Sequence, residues 1–132
     1  MNNITKKQKR YVELAARVAS QSTYGKIKHG AVLVKGGNVI NAAFNKENFC
    51  SFGKRFRNPN AGTATLHAEL GTVLGLDRSV TRGCTVYVVR VNRRGEYRMS
   101  KPCDMCEAAL RHCGISKVFY STNEEELEQM KL

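Results

Sequence analysis

An α/β fold, with a sheet layered between helices, is what this 132-residue sequence predicts, and three observations carry the prediction. Apolar Tyr11, Val12, Leu14, Ala15, Val18 and Ala19 form one stripe at helical spacing behind a capping box of Thr5 and Gln8. In AVLVKGGNVINAAF, two β-favouring runs flank Gly36, Gly37 and Asn38, the composition of a tight antiparallel hairpin. Beyond it, strand-like and helical runs alternate, which argues for a sheet between helix layers, largely parallel after the hairpin.

Taken in order, the first helix is expected over about residues 6 to 20. The segment 45–63, rich in Asn, Gly, Lys and Arg, reads as a functional loop because of its length. A second helix should begin near His67, run through Leu70, Val73 and Leu74, and end around Gly75. CTVYVVRV, residues 84–91, is nearly continuous in β-formers and suits a central strand covered on both faces. The turn NRRG follows, and then EYRM, read as a short edge or a substrate-facing loop. A third helix is expected to start at Pro102 and stop before Gly114. ISKVFYS reads as a strand and NEEELEQM as a final acidic helix capped by Thr122 or Asn123.

The composition, 42% hydrophobic and 25% charged, fits a globular protein and not a disordered one. No linker, repeat or low-complexity tract divides it, so a single domain over 1–132 is expected. The opening MNNITKKQKRYV lacks a signal-peptide core, and no run approaches the ~20 apolar residues of a membrane span. The expected location is therefore cytoplasmic, with no membrane partner. Five cysteines, at 50, 84, 103, 106 and 113, are odd in number and unevenly spaced, which suits reduced thiols better than a disulfide framework. Cys84 and Cys113 read as packing residues, and Cys50 as an exposed thiol with no base beside it. Residues 1–60 hold twelve Lys or Arg against Glu13 and Glu47, and residues 61–132 hold ten against nine acids. Nearly all of the net +11 lies in the first half, which favours an anionic partner, either polynucleotide or phosphorylated small molecule, unless the charge serves solubility alone.

The strongest local signal is PCDMC at 102–106. Cys103 and Cys106 share one face at a helix start, where first-turn N–H groups and the helix dipole favour thiolates. A redox pair and a buried pair of small hydrophobes are the competing readings; metal binding is favoured, with zinc as the ion. Zinc needs further ligands, and the histidines are His29, His67 and His112. His112 and Cys113 lie two turns beyond Cys106. His67 can meet the two cysteines if two helix N-termini lie at the same end of parallel strands. Glu69, in the first turn beside His67, can then face an open fourth position and move a proton, although plain helix-end capping explains an isolated glutamate there.

HAE at 67–69 together with PCDMC at 102–106 resembles the zinc-dependent cytidine and deoxycytidylate deaminase superfamily, which also contains tRNA-adenosine and polynucleotide cytidine deaminases. The resemblance covers roughly residues 28–121. It implies a three-layer α/β/α cytidine deaminase-like fold, with a mixed sheet of four to five strands, an N-terminal helix and an antiparallel opening hairpin. It also implies His67, Cys103 and Cys106 as zinc ligands and Glu69 as the proton shuttle for attack by zinc-bound hydroxide. The Ala68 N–H would contact the ring carbonyl, and Asn45 the sugar. Two departures stand out. Members commonly have five strands, whereas this chain reads as four and an acidic helix, so an edge is expected to be absent or covered by a partner. Lys101 precedes the PCxxC element where Ser, Thr or Glu is usual; its backbone can still contact the amine.

NFCSFGKRFRN, residues 48–58, interleaves Phe49, Phe52 and Phe56 with Lys54, Arg55 and Arg57. It can stack and hold single-stranded nucleic acid, clamp a 5′-phosphate, or anchor a subunit interface. STYGKIKHGAVLVKGGNVI, CTVYVV and CGISKVFYST broadly resemble the deoxycytidylate branch. The resemblance thus implies deamination of dCMP to dUMP with release of ammonia, a free pyrimidine nucleotide as partner, and a homo-oligomer. The alternatives are deamination of cytidine or of a base in single-stranded nucleic acid or tRNA, and a noncatalytic zinc-stabilised nucleic-acid-binding module.

Overall fold

The computed structural model describes residues 4–23, 27–57 and 65–132. Helix α1 (Lys6–Ala19) opens with the expected box: the Gln8 N–H donates to Thr5 Oγ1 at 3.1 Å and the Thr5 N–H to Gln8 Oε1 at 3.0 Å. Strands β1 (Lys28–Lys35) and β2 (Asn38–Phe44) form the expected hairpin, with Gly36 and Gly37 at φ 57° and 81°. Positive φ at both turn positions matches the twist of the strands, which explains the glycines.

The predicted loop contains secondary structure: strand β3 (Lys46–Phe49), the short helix α2 (Ser51–Lys54) and, beyond residues 58–64, which lie outside the described part, strand β4 (Thr65–Leu66), antiparallel to β3. Helix α3 (Ala68–Val73) and a turn of helix α4 (Arg78–Thr81) follow, the latter unforeseen from sequence. Next come β5 (Thr85–Val91), β6 (Tyr97–Arg98), α5 (Asp104–His112), β7 (Lys117–Ser121) and β8 (Leu127–Lys131).

The main sheet runs β2-β1-β5-β7-β8, with β6 also on β5. CTVYVVRV is the central strand, as expected. The sheet is mixed, and its largely parallel character is corrected: β5 and β7 pair in parallel, whereas β1 is antiparallel to both neighbours and β7 to β8. Strands β2 and β5 nevertheless point the same way, because β1 runs oppositely between them. Their C-terminal ends lie at one end of the sheet, where the chain later starts α3 and α5.

The expected final helix is instead the edge strand β8. Thr122 to Glu126 reverse the chain, with Glu125 at φ 57°, the Thr122 N–H donating to the Glu126 carbonyl at 3.0 Å, and Ser121 paired with Leu127. Helix propensity in this run is high but local. The unpaired edge of β7 offers a ladder of hydrogen bonds, and tertiary context overrides propensity. Leu127 packs on the α1 side and Met130 on the opposite side, as alternation demands. The missing edge is therefore present, and its exposed Glu128, Gln129 and Lys131 blunt it against further pairing. A second correction concerns Pro102, which precedes the cap: Cys103 is the N-cap of α5 and Asp104 its first residue.

Alternation along the strands builds two cores. Val32, Val34, Tyr87, Val89 and Phe119 pack on Tyr11, Val12, Ala15 and Ala19 of α1. Ala31, Leu33, Val86, Val88 and Val118 pack on the other side with Ala68, Val73 and Leu110 of α3 and α5. This is the expected three-layer α/β/α arrangement. Cys84 and Cys113 join the second core, as expected, whereas Cys50 is buried rather than exposed: it caps α2, its sulfur accepting from the Gly53 N–H at 3.3 Å.

Helix α1 lies so close to β1 that a Cβ on Gly30 would run into the Ala15 carbonyl oxygen and stand 2.5 Å from the Ala19 nitrogen. Both obstacles are backbone and cannot rotate away. Gly30→Ala should therefore cost about 3 kcal/mol, read as a lower urea midpoint at unchanged m-value; an unchanged midpoint would show that α1 can shift without loss.

Candidate metal centre and active site

Three elements converge where β2 and β5 end. His67 is the N-cap of α3, held extended at φ −78° and ψ 153° directly after β4, and Cys103 takes the same role in α5 at φ −71° and ψ 169°. Cys106 lies one turn along α5, buried beside Met105, Leu70 and Ala109. His67 Nδ1 stands 3.2 Å from Cys106 Sγ and 3.7 Å from Cys103 Sγ, and the three atoms lie within 4.8 Å of one another. Zinc bonds of about 2.3 Å to sulfur and about 2.0 Å to nitrogen place tetrahedral ligand atoms roughly 3.5–3.8 Å apart. The two nitrogen–sulfur separations are close to those values.

Its electrostatics also suit a cation. The Cys106 thiol hydrogen-bonds to Cys103 and holds the Cys103 thiol down at about 3 against the effect of burial, and His67 adds to the depression. Cys106 is correspondingly pushed up, by that hydrogen bond and by burial. The pair thus shares one proton between a thiolate and a thiol. Hydrogen bonding to Cys103 raises His67 against burial. A soft donor set of one nitrogen and two sulfurs fits Zn2+, and three protein ligands leave one position open.

Glu69 is buried, with 5% of its surface exposed, and burial pushes its carboxyl above the ordinary range. It lines the same cavity of about 320 Å³ as His67 and Cys103. That volume is at the lower end for small-ligand sites. The facing wall is Ile27, His29 and Asn45 from the start of β1 and the end of β2; Lys46, Thr65 and Leu66 close one side, Ser100 and Lys101 the other.

The remaining candidates divide. Asn45 lines the cavity, but its amide also staples the strand ends: Nδ2 donates to the Ile27 carbonyl and Oδ1 accepts from the His29 N–H, each at 2.9 Å. Ala68 is the first residue of α3, where an N–H has no acceptor within the helix. Lys101 is exposed on the rim. Lys54 and Arg55 do not line the cavity, and the Arg55 guanidinium lies over the rings of Phe52 and Phe56 at 5.8 and 5.7 Å. Arg57 is near enough for its charge to oppose protonation of His67. Phe52 and Phe56 meet edge to face and pack towards α5, Phe56 also against the His112 ring at 5.4 Å. They anchor α2; the Phe49 side chain lies outside the described part.

Sequence reasoning missed His29 and Ser100 as site residues. His29 could have been found, since it continues the alternation of Ala31 and Leu33 towards the site. Its imidazole is pushed down to about 4, first by burial and then by the charges of Arg90 and His67. Ser100 required the fold. It is buried, and its hydroxyl donates to the Val88 carbonyl at 2.9 Å, meets Ser121 Oγ at 2.8 Å and accepts from the Ser121 N–H at 2.8 Å. These bonds tie the segment leading into Cys103 to both β5 and β7.

The profile of the cytidine and deoxycytidylate deaminase zinc-binding region matches residues 5–122. Among solved structures, the chain is similar to RibD of Acinetobacter baumannii, with 21% identity over 89% of this chain and 28% of that one, and a TM-score of 0.57. The chain therefore spans little more than a quarter of RibD. It is also similar to dCMP deaminase from the cyanophage S-TIM5, with 20% identity, 90% and 86% of the two chains covered, and a TM-score of 0.57. A cytidine deaminase variant from Mycobacterium tuberculosis gives 24%, 86% and 84%, with 0.54. At these identities the likeness is one of fold. No curated protein matches the chain.

Two outcomes follow from the site. Cys103→Ser should reduce bound zinc from about one ion per chain to well below 0.2, measured by atomic absorption after dialysis; full retention would remove Cys103 from the ligand set. A neutral, half-buried His29 binds its proton less readily folded than unfolded, so the unfolded chain protonates first as pH falls. His29 therefore withdraws stability from about pH 6.5 down to about pH 4, up to about 2–3 kcal/mol. His29→Gln should remove that part of the acid sensitivity in urea titrations across the window, and parallel curves for the two proteins would contradict it.

Proposed function

This chain belongs to the family of zinc-binding cytidine and deoxycytidylate deaminases, matched over residues 5–122, and from that premise we propose that it deaminates a cytosine nucleotide hydrolytically, dCMP to dUMP with release of ammonia. The observation that carries the proposal is a buried carboxyl, Glu69, sharing one cavity with His67 and Cys103 of a three-residue cluster fit to hold zinc.

His67, Cys103 and Cys106 would hold the ion, which supplies Lewis-acid activation of a water when bound. Glu69 takes a proton as the water oxygen adds to C4, and passes it to the ring nitrogen. A second transfer through the same carboxylate lets the amine leave as ammonia, and the added oxygen becomes the carbonyl of uracil. A raised carboxyl suits this, because a group that both accepts and returns a proton works best near the ambient pH. The Ala68 N–H orients the ring carbonyl, Asn45 meets the sugar, and the Lys101 backbone faces the amine. Lys46 and Lys101, both on the cavity wall, supply cations for a single 5′-phosphate, with Arg57 beyond His67. Among the described residues no helix is long and apolar enough to cross a membrane. One deaminase domain over 1–132, acting in the cytoplasm as a homo-oligomer, completes the proposal.

The net charge of +11 suits a polynucleotide as well as a nucleotide, which gives a second reading, deamination of a base in single-stranded nucleic acid or tRNA. Salt separates the two, since neutralising many phosphates makes affinity fall steeply with ionic strength, whereas one phosphate does not. An ammonia-release panel over cytidine, dCMP, CMP, adenosine, tRNA and single-stranded DNA should give turnover on dCMP with weak salt dependence. Glu69→Gln should keep zinc and fold while kcat falls about 10³-fold. Undiminished turnover in that variant would remove Glu69 from the mechanism. A parent inactive on the entire panel would favour a noncatalytic zinc-stabilised nucleic-acid-binding module.

A further inference from the structure

His29 has no part in the reading above, yet it occupies the cavity wall beside Asn45. Its backbone is fixed at both ends, the N–H donating to Asn45 Oδ1 at 2.9 Å and the carbonyl accepting from the Asn45 N–H at 3.2 Å. Its side chain leaves β1 on the same face as Ala31 and Leu33, the face that carries α3 and α5. Directly across the sheet, in register, stands Arg90, whose Nε is buried without a hydrogen bond. Among the described residues no hydrogen bond reaches the His29 ring either. A half-buried imidazole that faces a cavity and has no protein partner among the described residues can hydrogen-bond to a bound molecule. Burial first, and then the nearby guanidinium, disfavour the imidazolium, which leaves a neutral ring with one donor and one acceptor.

We propose that His29 is a specificity-determining residue that hydrogen-bonds to the nucleoside held in the cavity, at the base edge or at a sugar hydroxyl. This rests on the nucleotide-deaminase reading above. An apolar residue at the same place would seal the wall and offer shape alone. A polar ring with no other partner among the described residues penalises a ligand that covers it without satisfying it, which is how a site discriminates by more than fit. Asn45, bonded to the His29 backbone, sets the height of the ring in the wall, so the two act as one edge of the pocket.

The test uses full-length, zinc-loaded protein with His29→Phe, which keeps a ring of comparable size, and His29→Gln, which keeps donor and acceptor. Zinc content and urea midpoint establish that each variant is folded. Binding of dCMP and of its 2′,3′-dideoxy analogue is measured calorimetrically on the Glu69→Gln background, and KM and kcat on the active protein. His29→Phe should weaken dCMP binding and raise KM about tenfold, with kcat changed much less, and His29→Gln should recover most of the loss. An equal penalty on the dideoxy analogue places the bond at the base; a penalty that disappears there places it at the sugar hydroxyl. His29→Phe binding dCMP as well as its parent, or His29→Gln losing as much as His29→Phe, overturns the role of His29 alone. A Glu69→Gln parent that binds neither nucleotide overturns this role and the nucleotide reading together.

Discussion

Everything at the site depends on bringing two helix starts together so that one nitrogen and two sulfurs stand within 4.8 Å. The sheet makes this happen. Strands β2 and β5 are not neighbours; β1 lies between them and runs the opposite way, so both end at the same edge. Helices α3 and α5 therefore begin side by side on one face, their unsatisfied N–H groups towards the same space. Anionic sulfurs are favoured there before any ion is considered. The Cys103 thiol is held down first by the proton that Cys106 retains and then by His67, with the Cys106 N–H adding to both.

Around this junction the protein invests in rigidity. Asn45 ties the end of β2 to the start of β1 by two side-chain bonds, and the Ser22 hydroxyl caps its carbonyl at 2.9 Å. On the opposite wall, Ser100 and Ser121 bind the approach to Cys103 onto β5 and β7. Beneath, Phe52, Phe56, Cys50 and Leu70 pack α2 against α5. Neither wall can drift without breaking buried hydrogen bonds, each of which leaves an unsatisfied polar atom behind. A metal centre with an open position needs this precision from its surroundings, since ligand orientation is set by what lies behind the ligands.

In the aromatic, basic segment 48–58, neighbours along the chain part company in space. Interleaved phenylalanines and cations look like a binding surface when read in a line. Folded, Phe52 and Phe56 face each other and α5, and Arg55 covers them. The cations on the cavity wall are instead Lys46 and Lys101, which stand far apart in sequence and meet only through the sheet. The final segment, expected as a helix, is a strand for a non-local reason. Its run of glutamates favours a helix locally, but the open edge of β7 was a non-local fact.

Sequence alone determined what is written in short-range pattern: the capped first helix, the Gly-Gly hairpin, the buried central strand and the HAE and PCDMC signals that single out His67, Cys103, Cys106 and Glu69. Each rests on residues close along the chain, where periodicity and local chemistry act directly. Tertiary structure alone decided the mixed direction of the sheet, the strand at residues 127–131, the burial of Cys50, and the walls formed by His29, Lys46 and Ser100. These depend on which backbone edge is left to pair and which side chains face one cavity, and both are set by contacts between residues dozens of positions apart.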